Sequence, residues 1–385
     1  MVESPQKKIR VAVVIPKFGL VGGAEQFAKE LSVRIADNPR YEINVFANRW
    51  LDSGDRIRFH RVPIISFPRS LTTVSFARFA ETEIEKQGPF DIVHTHDRVF
   101  KADLFTMHGV PHEFWVREVR KKRMSLFDRA TDFVERKLIS SGQCFSYAVV
   151  SDLVKEKLIE HYPLIEVDKI RVIHPGVDIG RFKRAEKSAR DAVRSGFGIR
   201  GTDILILFVS MNFELKGLDL LLESLGRLKT KQPGKKFKLL VVGKGNSRAY
   251  GRRAEELGVG QDVVFAGVIE SLKMPQIYAA SDIFSMLSKF DTFGMAALEA
   301  MAASLPVLVS SMVGARDLVA QGHNGYVVSR DASPDEVCEK LNLMSENLGQ
   351  MAENAFRTAQ GHSWQKAADE TEKIYREFLD TKKPD

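Results

Sequence analysis

Asp291-Thr-Phe-Gly-Met-Ala-Ala-Leu-Glu299 runs on into Ala-Met-Ala-Ala-Ser-Leu-Pro306-Val-Leu-Val, and these residues decide the fold of the second half of the chain. Two carboxylates stand eight residues apart across a junction from loop to helix. Gly294 marks the turn, where the first N–H groups of a helix lack partners and can hold an anion. Pro306 pushes Leu305 out of helical geometry and ends the helix, and Val307 to Ser310 reads as a buried strand. A helix of roughly ten residues is predicted between them. Entered from a loop that carries an acid, it suits a phosphorylated, hydroxyl-rich ligand. The amides of Gly294 and Met295 face phosphates, Glu299 reaches a ribose, and Asp291 reaches a second sugar, because charged carboxylates accept hydroxyl hydrogen bonds strongly. Phe293 completes the turn. Taken alone, an acid pair at this spacing is more often a helix cap with a solvated neighbour.

Outward from this element, the second half alternates strand and helix. Strands are expected at Ile204–Ser210, Lys238–Gly243, Val263–Gly267, Ile283–Leu287 and Val307–Ser310, which implies a parallel sheet with right-handed crossovers. The first half repeats the rhythm: Ile9–Pro16, Ile43–Phe46, Asp91–His96, Leu104–His108, Phe145–Ser151 and Ile170–His174 are short apolar runs rich in β-branched residues. At 385 residues the chain exceeds what one core usually serves. A polar, basic stretch near 180–200 separates the two series. The expected domains are 1–185, 186–362 and a terminal helix, 363–385.

Within this frame four further segments bear chemistry. Gly22 and Gly23 follow the first strand and open a helix, where glycine lets a backbone approach a phosphate. Lys216 sits beside Gly217 directly after a buried strand, with Asn212 just before it. His108 ends a strand and precedes Gly109, facing the crevice in which open α/β sheets bind ligands. Gly243, and Gly267 with Val268, end strands in turns whose backbone can read a nucleobase edge. His94 and His96 share a strand face, and with Asp97 they form only a weak metal pattern; a structural or acceptor-side role is favoured. No Asp-x-Asp occurs anywhere in the chain.

The stretch from Asp291 to Pro306, with Gly314-Ala-Arg-Asp317 and Gly322-His-Asn-Gly325, resembles the Glu-x7-Glu region of retaining glycosyltransferases of the group 1 and family 4 type. Their GT-B fold has two Rossmann-like α/β domains facing each other across a cleft, with a C-terminal helix crossing back. The resemblance extends to Gly22-Gly23-Ala-Glu25, Thr106-Met-His108-Gly109 and Lys216-Gly217. It implies transfer of a hexose from a nucleotide-diphosphate donor with retention of configuration and without a metal or other cofactor. Lys216 would neutralise the leaving diphosphate, Asp291 and His108 would hold the transferred sugar, and Gly267 and Val268 would lie beside the base. Asp291 stands where the family usually has Glu, so the family's sugar preference does not carry over. Glu214 stands where relatives carry Arg, and Lys17, Lys244 or Arg248 is the expected replacement cation.

Charge is shared unequally. Residues 1–185 hold 31 Lys and Arg against 24 Asp and Glu, and the remainder holds 26 of each. The densest part is Arg117, Arg120, Lys121, Lys122 and Arg123 beside Trp115. The segment from Met107 to Arg123 resembles lipopolysaccharide-core glucosyltransferases, which implies UDP-glucose or a similar UDP-hexose as donor and a cell-envelope glycan or glycolipid as acceptor. Contact with an anionic inner membrane is expected, at ~1 kcal/mol per cation near the surface; nucleic acid is not. Two distant cysteines, the polar start and the lack of a long apolar run point to a cytoplasmic protein, peripheral on the membrane. Three alternatives stay open: a sugar-nucleotide 2-epimerase, a soluble sugar-phosphate or glucan synthase, and an inactive nucleotide-binding membrane module.

Overall fold

The computed structural model describes residues 8–20 and 22–382. Val21, in the first glycine loop, and the two extreme termini lie outside the described residues. The chain divides into two compact units, one running to Gly176 and resuming at Trp364, the other Val177–Ser363. The division falls at 176/177, nine residues before the expected boundary. Residues 177–185 are held by the second unit: Val177 N–H donates to the His362 carbonyl at 3.0 Å, Arg181 bonds Ser271, and Phe182 packs edge-on against Tyr278.

The first unit is built on a seven-stranded parallel sheet in the order Ile57–Arg61, Tyr41–Ala47, Ile9–Val14, Ile92–Thr95, Leu104–Met107, Ser146–Val149, Ile170–Val172. Central strands such as Val11 to Val14 are buried on both faces, which is why they read as unbroken apolar runs. The edge strand Ile57–Arg61 carries Arg58, His60 and Arg61; half exposed, it gave no such run. Helix Gly23–Asp37 buries Phe27, Ala28, Leu31 and Ile35. Helix Trp364–Thr381 packs against it, with Trp364 edge-on to Phe27 and Asn38 donating to Glu372 at 3.0 Å.

The second unit has a six-stranded parallel sheet in the order Val263–Gly267, Phe237–Gly243, Ile204–Ser210, Ile283–Met286, Val307–Ser310, Gly325–Val328. The last of these, a four-residue edge strand, was also missed. Leu218, Leu221, Leu222, Leu225 and Leu228 form the buried stripe of helix Leu218–Lys231. It packs on helix Pro334–Glu346, which buries Val337, Cys338, Leu341 and Met344. Each fully buried Leu contributes about 1.5–3 kcal/mol. In both sheets the order reverses at the central strands, and ligands bind beyond the carboxyl ends of strands at such a switch point.

The helix after Asp291 spans Met295–Ala302, eight residues. Pro306 does not end it. Ser304 takes φ +64°, and its N–H bonds the Met301 carbonyl while Leu305 N–H bonds that of Ala300. This left-handed cap satisfies the last carbonyls, and Pro306 follows once the helix is closed.

Candidate functional site

At the switch point of the second unit, the loops after Ile204–Ser210 and Ile283–Met286 are bonded to each other. Lys289 N–H and the Ser288 hydroxyl both donate to the Leu215 carbonyl, at 2.8 and 3.1 Å. This fastening brings Lys216 and Asp291 together as an ion pair with both side chains about four-fifths buried. Asp291 is itself fixed through its N–H to the Met312 carbonyl and its own carbonyl to Gly314 N–H. Gly294 follows at φ +90° and serves as N-cap of Met295–Ala302 with no side chain capping the helix. A Cβ at Gly294 would lie 2.8 Å from Val313 Cγ1, so the turn excludes larger residues. Ala297 N–H bonds the Gly294 carbonyl at 2.8 Å, and the Met295 and Ala296 amides have no intrahelical partner.

Lys216, Asp291, Gly294, Met295 and Glu299 all line one cavity of about 500 Å³. Gly243 and Val268 line it as well, as do Arg181, Ser271 and Tyr278. Gly243, at φ +120°, brings its backbone so close to Ser210 that a Cβ would meet the Ser210 carbonyl oxygen at 1.7 Å. Tyr278, fully buried, donates its hydroxyl to Glu299 Oε2 at 2.8 Å. Burial pushes the Glu299 carboxyl above the usual carboxylate range, against the hydrogen bond from Tyr278 and the positive charge of Arg181. One part of the cavity therefore holds the Lys216–Asp291 pair and the open amides of Met295 and Ala296, while another presents the desolvated Glu299 with the charge of Arg181. Such a surface has the chemistry to take a diphosphate at one end and hydroxyls at the other.

Two family profiles divide the chain between them. That described as Glycosyltransferase Family 4 matches residues 21–181, and that described as Glycosyl transferases group 1 matches residues 189–360. The chain is a glycosyltransferase of the GT-B type. It is 25% identical over 378 residues to an uncharacterized glycosyltransferase, MJ1607, of Methanocaldococcus jannaschii, covering 93% of this chain and 95% of the relative. In fold it is similar to WaaG, a glycosyltransferase involved in lipopolysaccharide biosynthesis, at TM-score 0.75 and 22% identity over 94% of this chain and 98% of WaaG. It is also similar to Anabaena HepE in complex with UDP-glucose, at TM-score 0.70 and 16% identity over 96% of this chain and 100% of HepE.

Not every expected donor residue of this glycosyltransferase reaches the cavity lining. Asn212 is exposed outside the lining, its Oδ1 accepting from Leu215 N–H at 3.0 Å. Phe293 is buried, and its carbonyl accepts from Ala315 N–H; it holds the loop. Gly267 is the left-handed turn residue, φ +69°, before Val268, and Val268 makes the wall. Glu214 is exposed beside Lys289 at 3.6 Å, away from the lining. Lys244 and Arg248 are exposed outside it, and Lys17 belongs to the first unit. Arg181 is the cation that sequence reasoning missed, because it lies in the polar, basic stretch read as a linker. Tyr278 was missed because its helix reads as ordinary apolar packing.

In the first unit of the glycosyltransferase, His108 Nε2 lies 3.0 Å from His96 Nδ1 with the rings stacked. His94 is held between the Tyr375 hydroxyl at 2.6 Å and Thr106 Oγ1 at 2.7 Å. Burial lowers the pKa of His94 and of His108 to about 3 and that of His96 well below its usual value, so all three rings stay neutral near pH 7. Gly22 is the N-cap of helix Gly23–Asp37, and a Cβ there would meet the Glu25 carboxylate.

The basic segment winds through Trp115–Val119 into a loop. Arg117 pairs with Glu113 and Lys121 with Glu118. Arg120, Lys122 and Arg123 are exposed, Trp115 is half-buried, and Val116 is fully buried. The apolar surface near the cations therefore comes from Phe67 and Leu126, 89% and 75% exposed. Arg69 ties the two loops by lying over the Phe127 ring. Glu113, Asp132 and His161 also converge closely enough to hold a cation, but the Arg136 guanidinium already bonds all three.

Proposed function

We propose that this glycosyltransferase moves a hexose, glucose foremost, from a UDP-hexose to a hydroxyl of a cell-envelope glycan, with retention of configuration and without a metal. The observation that supports this best is the meeting of Lys216, the open helix start at Gly294–Ala296 and Glu299 on one cavity. Lys216 and the helix amides receive the diphosphate, Glu299 the ribose, Asp291 the hexose, and the Gly243 and Val268 backbone the base edge. The anomeric C–O bond to phosphate breaks, a bond to the acceptor oxygen forms, and the acceptor proton passes to the leaving phosphate. Fixed donors aimed at the developing charge lower the barrier, and the chain has no Asp-x-Asp pair to recruit a divalent ion. The UDP-glucose complex of HepE and the lipopolysaccharide role of WaaG favour the donor and acceptor classes named here.

Exposed Arg120, Lys122 and Arg123, flanked by Phe67 and Leu126, favour docking of the first unit on an anionic membrane, where a lipid-linked acceptor resides. The test is calorimetric titration of the full chain with UDP, GDP, ADP and UDP-glucose in the presence of EDTA, followed by NMR of the product's anomeric configuration. Tightest binding of uridine nucleotides and a retained product are expected. A metal requirement or an inverted product would overturn the proposed chemistry.

A further inference from the structure

Arg181 stands in the cavity of the second unit without a role in the reading above. Its backbone is set by a tight turn: Gly180 and Arg181 N–H groups donate to Asp178 Oδ1 at 2.9 and 3.0 Å, and Phe182 N–H to the Asp178 carbonyl at 3.0 Å. From this base the guanidinium reaches 90 residues along the chain and donates to the Ser271 carbonyl and hydroxyl, both at 2.8 Å. Ser271 lies in the turn after strand Val263–Gly267. That strand is at the sheet's edge, and Val268, Glu270, Ser271, Leu272 and Lys273 are all exposed. The turn therefore has little apolar contact to hold it, since exposed side chains contribute little burial.

We propose that Arg181 is a positioning residue for nucleoside recognition, which clamps the turn 268–273 as one wall of the donor cavity and sets a positive charge toward Glu299. This rests on the donor reading of the same cavity. Both bonds leave one nitrogen, Nη2, so an ammonium can reproduce them only if its shorter, more flexible stem brings it to the same point, whereas the guanidinium also keeps its charge at every pH tested. Glu299 faces the Tyr278 hydroxyl from helix Met274–Ala280 and the charge of Arg181, and Lys216 and Asp291 are the other charged groups on the cavity. Burial already raises the carboxyl, so loss of Arg181 leaves it protonated to a higher pH. Ribose hydroxyls then lose their anionic acceptor earlier on acidification.

The experiment is calorimetry of the full chain with UDP from pH 5 to 8 for the wild type, Arg181→Ala, Arg181→Lys, Ser271→Ala and Glu299→Gln. Expected for Arg181→Ala is a Kd raised about 10-fold, as for loss of a charged hydrogen-bond pair, with the acid limb of binding moved to higher pH. Arg181→Lys should recover part of the affinity, and Ser271→Ala should stay within about 3-fold because the carbonyl remains. Donor hydrolysis should show a raised KM with kcat nearly kept. If Arg181→Ala does not fold, Arg181→Gln supplies the same comparison, and wild-type Kd with an unmoved limb there overturns the proposal. Wild-type behaviour of Arg181→Ala, with binding lost in Glu299→Gln, overturns the role of Arg181 and leaves the donor site standing. Wild-type binding in both removes the donor reading itself.

Discussion

Lys216 and Asp291, 75 residues apart in the chain, form an ion pair at the mouth of two loops that meet beyond the sheet's central strands. The acid thus engages the cation on which the proposed diphosphate site depends. Asp291→Asn should therefore keep or improve UDP affinity while lowering sugar transfer, because it removes a competitor for Lys216. Lys216→Ala should weaken UDP by about 10-fold or more, the scale of one charge-assisted contact. Calorimetry of the two variants decides: equal losses of UDP affinity would mean that the pair is only structural.

Glu299 carries the pH dependence of the same cavity. Burial raises its carboxyl above 4.5, the ordinary glutamate value. Protonation then favours the folded state, a contribution present below that ordinary value and lost as pH rises through the folded one. Glu299→Gln should therefore raise the unfolding temperature of the free protein at pH 7, by a few degrees at most, while weakening UDP roughly 100-fold as the charged ribose acceptor is lost. Differential scanning calorimetry with and without UDP reads both effects. A variant both destabilised and fully able to bind would contradict the assignment.

Helix Lys187–Gly196 sends Arg194, 1% exposed, into the second unit. It donates to the carbonyls of Ala280 at 2.8 Å and Asp203 at 2.9 Å and pairs with Asp282. Removing one partner of such a buried pair strands the other, at a cost of about 3–5 kcal/mol. Arg194→Ala should lower the unfolding temperature of this unit by roughly 6–20 °C. A shift under 2 °C in a thermal melt would show that the network relaxes or takes in water.

What the sequence disclosed follows from how each residue is buried. Runs such as Ile204–Ser210 are covered on both faces and announce themselves, whereas Ile57–Arg61 and Gly325–Val328 are edge strands and do not. The turn at Gly294 was legible because only glycine fits against Val313. Asn212 and Phe293 looked like ligand residues because motif position does not reveal where a side chain points. Arg181 and Tyr278 left no signal, since their importance comes from partners 90 and 21 residues away.

Acid should loosen the first unit through its histidines. His94 and His108 have pKa values lowered to about 3 by burial, and His96 is lowered as well. The unfolded chain takes up protons below about 6.5, while the folded unit does not. Stability is thus lost progressively as pH falls from 6.5 toward 3, by up to about 4 kcal/mol for one such ring. Trp50, Trp115 and Trp364 all belong to the first unit, so tryptophan fluorescence follows it alone. Chemical melts at pH 7 and pH 5 should differ for the wild type and differ less for His94→Gln. The same pH slope in both would exclude this ring as a source.

The surface around Arg120 offers the last test. Arg117 and Lys121 already have carboxylate partners, so the cations left to meet lipid headgroups are Arg120, Lys122 and Arg123. At ~1 kcal/mol each, replacing all three by Ala should lower partitioning onto anionic vesicles roughly 100-fold. The fold should be intact, since all three side chains are exposed. Raising salt from 0.05 to 0.5 M should weaken the wild type toward the variant, because the Debye length contracts. Phe67→Ser with Leu126→Ser should reduce binding in a way that salt does not mimic, as insertion of apolar side chains is not screened. Vesicle sedimentation measures all of these, and equal wild-type binding to neutral and anionic lipid would remove the membrane from the proposed function.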